Sequence, residues 1–521
     1  MKNFLKRLWM RRWIRGFVWT IVTLVTLAFL VRQYLDWEGA RRWANAQAMV
    51  AGEGESLDLH EIAADPVPDD RNFFAIPALK NLASSPSNRD DKSPLGLKWN
   101  RLLDAGLPSG WKAGPKPSLL QGASLGKAMD MKTWADWLRK EYSAPVPPDP
   151  GGPAKDVLAA LSKNDGLIDE LAAGLSRPES QWTPAWRTRA LPDALFTIAL
   201  PNYSVSQALI PMLCLRGAAA ARAGDAAKAH ESVLIAARLN QAYMQEPLLI
   251  GTLVGCGGAT LINSAVWELC DAHAGTAEEF RTLQEVLSQF DFRAALLYAE
   301  RGEMAGGANM MEYLKRPGDV ASLASLGRDD EWMSRLLSAV RFMPDGWLDA
   351  SAARITEWNL DYCIKPLRDQ GLMEMRAKEM ELNALIARRK TEVYWHLDEL
   401  MADIAMPATL GVTSKVIYIQ SVVNEAIAAC ALERYRIEHG SYPDTLEAAN
   451  RPGEKSIPLD VVTGKPMGYR KTPDGMYALW CVSLSGTDHG GTRVLDAKNP
   501  GSTRFSDATY AGDWVWDFPA K

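Results

Sequence analysis

The chain is predicted to be mainly α, with one N-terminal transmembrane helix, a helical bundle or solenoid-like middle, and a small C-terminal α+β module carrying an antiparallel sheet. Three observations predict this. A basic N-terminus precedes an uncharged apolar run at 16–31, apolar residues recur at three- and four-residue spacing through most of 156–407, and after Gly440 the period shortens to that of strands. A length of 521 residues exceeds one ordinary core, so several units are expected. They divide as a basic tail at 1–16, an anchor at 17–35, an irregular region and linker at 36–153, a helical domain at 154–410 and the α+β module at 411–521.

The run GFVWTIVTLVTLAFLV reaches about 24 Å at 1.5 Å per residue, against a hydrocarbon core of about 30 Å. Snorkelling by Arg32 and Gln33, with Tyr34, Leu35 and Trp37 at the interface, extends the working span to 17–35. Lys2, Lys6, Arg7, Arg11, Arg12 and Arg15 outnumber Arg32, Arg41 and Arg42 beyond the run, which predicts a cytoplasmic N-terminus and an extracytoplasmic, periplasmic bulk. The following stretch VRQYLDWEGARR has no small-x-small cleavage site, so an uncleaved signal anchor is expected. Arg15-Gly16-Phe17 resembles the processing site of type IV prepilins, with Ile21 standing where that family carries glutamate.

Proline, glycine, serine and aspartate punctuate 53–153, and APVPPDPGGP at 144–153 reads as a linker, because stacked prolines and glycines break both helix and ladder. Alanine and leucine spacing at 209–239 predicts a helical hairpin about Gly224-Asp225. It resembles one tetratricopeptide unit, but no second copy recurs at the period of about 34 residues that such arrays require, so a plain bundle is expected. Further helices are predicted at 250–271, 277–290, 350–361 and 372–405, the last ending before Met406-Pro407.

A long helix at 414–439 is stopped by Gly440 and Pro443. Val416, Ile419, Val423, Ile427, Cys430 and Ile437 form its apolar face. Turns at Thr463-Gly464-Lys465-Pro466 and Pro473-Asp474-Gly475 separate strand-like stretches at 467–470 and 476–484, and together these predict a separable unit with the helix lying across one sheet face. This order resembles the globular domain of the major pseudopilins of type II secretion. The matching residues are Tyr435, Gly440, Tyr442 and Pro443; Asp460, Gly464, Pro466 and Tyr469; Gly486, Asp488, Gly490 and Gly491; and the late Trp514. A pseudopilin joins its membrane helix directly to this helix, whereas here the region 36–410 intervenes. The chain as a whole looks like an uncharacterised family of bacterial membrane-anchored proteins ending in such a module. The resemblance implies calcium in the loop after the hairpin, with Asp488 and Asp513 as ligands and Asp496 nearby, all hard oxygen donors. The same aspartates and glycines also suit a simple turn.

The net charge of −5, with no dense basic run beyond the N-terminus, argues against a nucleic-acid partner. Cys214, Cys256, Cys270, Cys363, Cys430 and Cys481 are scattered without metal-ligand spacing and read as small buried hydrophobes. No G-x-S-x-G, H-E-x-x-H, Walker or dinucleotide fingerprint occurs. Glu392, His396, Glu399 and Asp403 fall on one face if 372–405 is a single helix, which suggests a di-metal site or, more simply, a salt-bridged face. Glu300 and Glu303 have the types for acid and base roles but equally suit an exposed helix, and Ser485, Asp488 and His489 lie too close in sequence to form a triad. The leading expectation is a non-enzymatic, membrane-anchored scaffold of the cell envelope with protein partners, linked to secretion. The alternative is a hydrolase-like envelope enzyme built on Glu300, Glu303 and His396.

Overall fold

The computed structural model describes residues 2–84, 118–119, 122–141, 151–182, 203–316, 340, 343–391, 396–406, 410–493 and 512–519. The first helix, Lys2–Gly52, runs unbroken for 51 residues. The irregular region expected from residue 36 therefore begins only after Gly52. Two causes extend the helix: the segment beyond the apolar run is rich in alanine and other good helix formers, and it lies along a second helix, Asp345–Trp358. Every described side chain from Arg15 to Tyr34 is exposed, while Gly39, Ala46 and Val50 are buried against the body.

The expected hairpin forms as Tyr203–Ala223 and Ala226–Gln241. Gly224, at φ +82°, makes the left-handed turn, and the Asp225 carboxylate caps the second helix by accepting the Lys228 N–H at 3.1 Å. Next come Leu249–Asp271 and Ala277–Leu287, the latter opened by a reciprocal capping box between Thr276 and Glu279. Phe292–Leu314, which carries Glu300 and Glu303, is helical through its glycines. They are contact points: a Cβ on Gly302 would lie 1.9 Å from the Pro247 carbonyl oxygen, and one on Gly307 would press on Ile355. The helix foreseen at 350–361 starts earlier, at Asp345, and widens into a π-helical segment at Asn359–Ile364. The single helix foreseen at 372–405 is broken: Leu372–Thr391 ends, and a 3₁₀ turn at Leu397–Glu399 and a short helix at Leu400–Ala405 follow.

Val412–His439 is the central helix, capped by Gly440 at φ +78°, whose N–H reaches the Arg436 carbonyl at 2.8 Å. The foreseen apolar face is buried from Val416 to Cys430, whereas Ile437 is exposed. β1 (Gly468–Lys471), β2 (Tyr477–Val482) and β3 (Asp513–Trp516) form an antiparallel sheet in the order β1-β2-β3. Gly468 faces Trp480, whose indole occupies the space a Cβ would need. The helix does cross the sheet, but its other faces pack on Ala277–Leu287 and Leu249–Asp271, and one hydrophobic core runs from those helices through to Trp514 and Trp516. The central helix is therefore shared between the sheet and the bundle.

Among the described residues, three helices are long and apolar enough to cross a membrane. The most apolar stretch is 0% buried in the N-terminal one, 67% in Leu249–Asp271 and 94% in Val412–His439, so only the first lacks a cover within the chain.

Candidate functional site

The feature most distinct from ordinary core packing is the seam between the N-terminal helix and the body. The helices cross at two glycines: a Cβ on Gly39 would lie 2.0 Å from the Gly346 carbonyl oxygen, and one on Gly346 would lie 2.0 Å from that of Leu35. Backbones can approach this closely only without side chains. Asp36 accepts the Gly346 N–H at 2.9 Å, so the first helix helps cap the N-terminus of the second. One turn higher, Arg42 reaches Asp398 at 2.9 Å and Glu399 at 3.2 Å. At the top, Glu55 accepts from Arg301 at 2.6 Å and Arg368 at 3.2 Å, and Glu53 pairs with Arg368 at 2.9 Å. Hydrogen bonds from Arg41 and Arg42 hold Glu38 down to about 2. The helix is thus fixed to the body along its whole upper half.

The Arg42 contacts reach the first of the residue groups singled out in the sequence. Glu392 lies outside the described residues. His396, Glu399 and Asp403 do not share a helical face, because the helix breaks before them. Glu399 is held by Arg354 at 2.9 Å and Arg389 at 2.8 Å as well as by Arg42. Asp403 pairs with Arg389 at 2.8 Å, and a His396 ring nitrogen lies 3.3 Å from the same guanidinium. Burial pushes Glu399 up, but Arg354 and Arg389 outweigh it, and the carboxyl lies below its ordinary range. Arginines therefore use the carboxylate oxygens that a metal would need, and the salt-bridged reading is the one the geometry supports.

Glu300 and Glu303 are not on an exposed face. Glu300 is 1% exposed, and burial first, then the charges of Glu303 and Glu379, raise its pKa well above the usual carboxylate value. The Cys363 thiol, on the π-helical segment, hydrogen-bonds it and offsets part of this, while Oε2 is buried without a partner. Burial also raises Glu303, which accepts the Leu249 N–H at 2.9 Å. Glu300 is therefore an interior acid whose surroundings favour the protonated form.

In the C-terminal loop, Asp488 accepts from Trp480 Nε1 at 2.9 Å and from the Gly490 N–H at 2.8 Å. Asp513 is fully buried and accepts the His489 and Gly491 N–H groups at 3.0 and 2.9 Å. Burial raises its pKa against those hydrogen bonds. Asp496 lies outside the described residues. Both described carboxylates serve as acceptors that close the loop onto β2 and β3. Among the described residues, no group of three His, Cys, Asp or Glu side chains could hold a metal ion.

Sequence reasoning missed the arginine network and the two-glycine crossing, because Arg42 lies 356 positions from Asp398 and the other members sit on separate elements. It also passed over the interior acids of the central helix. Glu425 accepts the Cys481 N–H at 3.0 Å, and Glu433 binds Arg436 at 2.8 Å and the Tyr442 hydroxyl. A groove of about 340 Å³ lined by Ile210, Pro211, Ile250, Leu253 and neighbours is almost wholly apolar, and a polar cavity of about 150 Å³ lies beside Ser180, Gln241 and Gln289. Neither is lined by Glu300, Glu303 or His396. Compared with protein-family models, curated proteins and solved structures, the chain matches none.

Proposed function

We propose that the chain is a single-span membrane protein, N-terminus in the cytoplasm and folded body outside, that acts as a scaffold making protein contacts in the cell envelope. The observation that carries this reading is the change along one unbroken helix. Its side chains are uncovered from Arg15 to Tyr34 and fixed to the body from Leu35 onward. An uncovered apolar surface of that length is costly in water and suits a hydrocarbon environment. The excess of basic residues before it supports the orientation. The scaffold reading is favoured over the enzyme because Glu300 and Glu303 are buried in one cluster and His396 sits in another, where arginines hold the neighbouring carboxylates of Glu399 and Asp403. The pseudopilin-like order of the C-terminal segment supports a link to secretion.

The test pairs topology with extraction. A reporter active only in the cytoplasm, fused after Lys521, should be silent, and the protein should stay in the membrane pellet after alkaline carbonate. Reporter signal overturns the orientation, and release by carbonate overturns the anchor.

A further inference from the structure

We propose that the globular body rests directly on the outer surface of the bilayer, with the corner at 344–347 in the lipid headgroup layer. This rests on the anchor reading above and adds what the free helix length dictates. From Arg15, the last cation before the apolar run, to Tyr34 the uncovered helix is 20 residues long. At 1.5 Å per residue it spans about 30 Å, the thickness of a hydrocarbon core, so the bilayer consumes all of it. A body carried on a stalk would leave exposed helix between the span and the first contact. None remains: the Leu35 carbonyl and the Asp36 Cα already lie against Gly346, and Asp36 binds the Gly346 N–H.

The side chains at this level suit the interface. Tyr34 and Trp37 are 60% and 61% exposed, with ring centroids 6.1 Å apart. Aromatic rings of this kind favour the headgroup boundary. Arg32 reaches back toward Asp36 at 3.7 Å, a position from which its stem lies along the span and its head in the polar layer. On the body, Asp345 is exposed and Trp347 half-buried at the same height, because Gly346 between them touches Leu35. The contact at Arg42 and Asp398, seven residues higher, stops the body from swinging away. The partner of this corner is therefore a lipid surface.

Depth-dependent quenching tests the proposal. All six native cysteines are buried, so a thiol-reactive fluorophore should select an introduced one. Full-length Asp345→Cys and Leu24→Cys proteins are labelled, reconstituted in phosphatidylcholine vesicles, and compared with and without nitroxide lipids. Leu24→Cys should be quenched at least twofold by a mid-chain nitroxide, and Asp345→Cys at least twofold by a headgroup nitroxide. Quenching at Leu24→Cys with none at Asp345→Cys would overturn the resting body while leaving the anchor intact. No quenching at Leu24→Cys would overturn the anchor, and the proposal with it.

Discussion

The N-terminal helix and Val412–His439 both have the length and apolar composition to cross a membrane, yet the most apolar stretch of the first is uncovered and that of the second is 94% buried. The difference lies in their polar residues. Between Gly16 and Val31 there is no charge at all. Val412–His439 carries Glu425, Glu433 and Arg434, each buried, and each has partners on other elements: the Cys481 N–H for Glu425, Tyr442 for Glu433, and Gln284 and Glu454 for Arg434. Lipid supplies no such partners, and an unpaired charge there is expensive. Apolar composition permits a membrane span; satisfied internal polar groups mark a core helix.

The sharpest way to break this comparison is to remove one internal partner. Glu433→Ala leaves Arg436 and Tyr442 without their shared acceptor, and a broken buried pair costs about 3–5 kcal/mol. Chemical denaturation in detergent should show a loss of that size, and a change under about 1 kcal/mol would mean that the polar residues do not hold this helix in place. The reciprocal change adds a charge where none is tolerated. Leu24→Arg should cost about 2.5–3.5 kcal/mol of insertion free energy and shift protein from the carbonate-resistant to the soluble fraction. Unchanged membrane retention would show that this stretch does not lie in hydrocarbon.

The buried acids sharpen the contrast through pH. Glu300 has a folded pKa raised above its unfolded value, so the folded state holds a proton that the unfolded state releases above pH about 4.5. Stability from this group is thus full at low pH and declines as pH rises toward the folded pKa, by up to about 1.4 kcal/mol per pH unit. Glu300→Gln should flatten that part of the profile and leave the protein more stable than the native chain near neutrality. Parallel profiles for the two proteins would place a charged, compensated carboxylate at this position instead.

The smallest expected effect belongs to the C-terminal loop. If calcium adds to the carboxylates of Asp488 and Asp513, millimolar calcium should stabilise the fold by about 1 kcal/mol, and Asp488→Ala should abolish the gain. An unchanged melting curve would leave these aspartates with the role their hydrogen bonds already describe, closing a loop against Trp480 and Gly491.

Much of the architecture was legible because it is written locally. Helix stops such as Gly440, the Gly224-Asp225 turn and the change of period after Pro443 act within a few residues, and a reader of the chain meets all their parts at once. The apolar face from Val416 to Cys430 and the uncharged run at 16–31 are periodic or compositional signals of the same kind. What failed to show were decisions made across the chain. The close approach of Pro247 to Gly302 and of Ile355 to Gly307 has no local signal in the chain. Glu300 looks like a surface acid until Glu379 and Cys363 enclose it. Glu399 looks like a metal ligand until Arg42, Arg354 and Arg389 converge on it from three separate elements.

The sequence by itself therefore determined the helical class, the turns, the apolar N-terminal stretch and the inward face of the central helix, because propensity, capping and periodicity depend on neighbours in sequence. Only the tertiary structure decided that the first helix continues to Gly52 and seats Gly39 against Gly346, that bundle and sheet share one core, and that the candidate acids are interior or salt-bridged. Those outcomes depend on desolvation and close packing, and neither exists until distant segments meet.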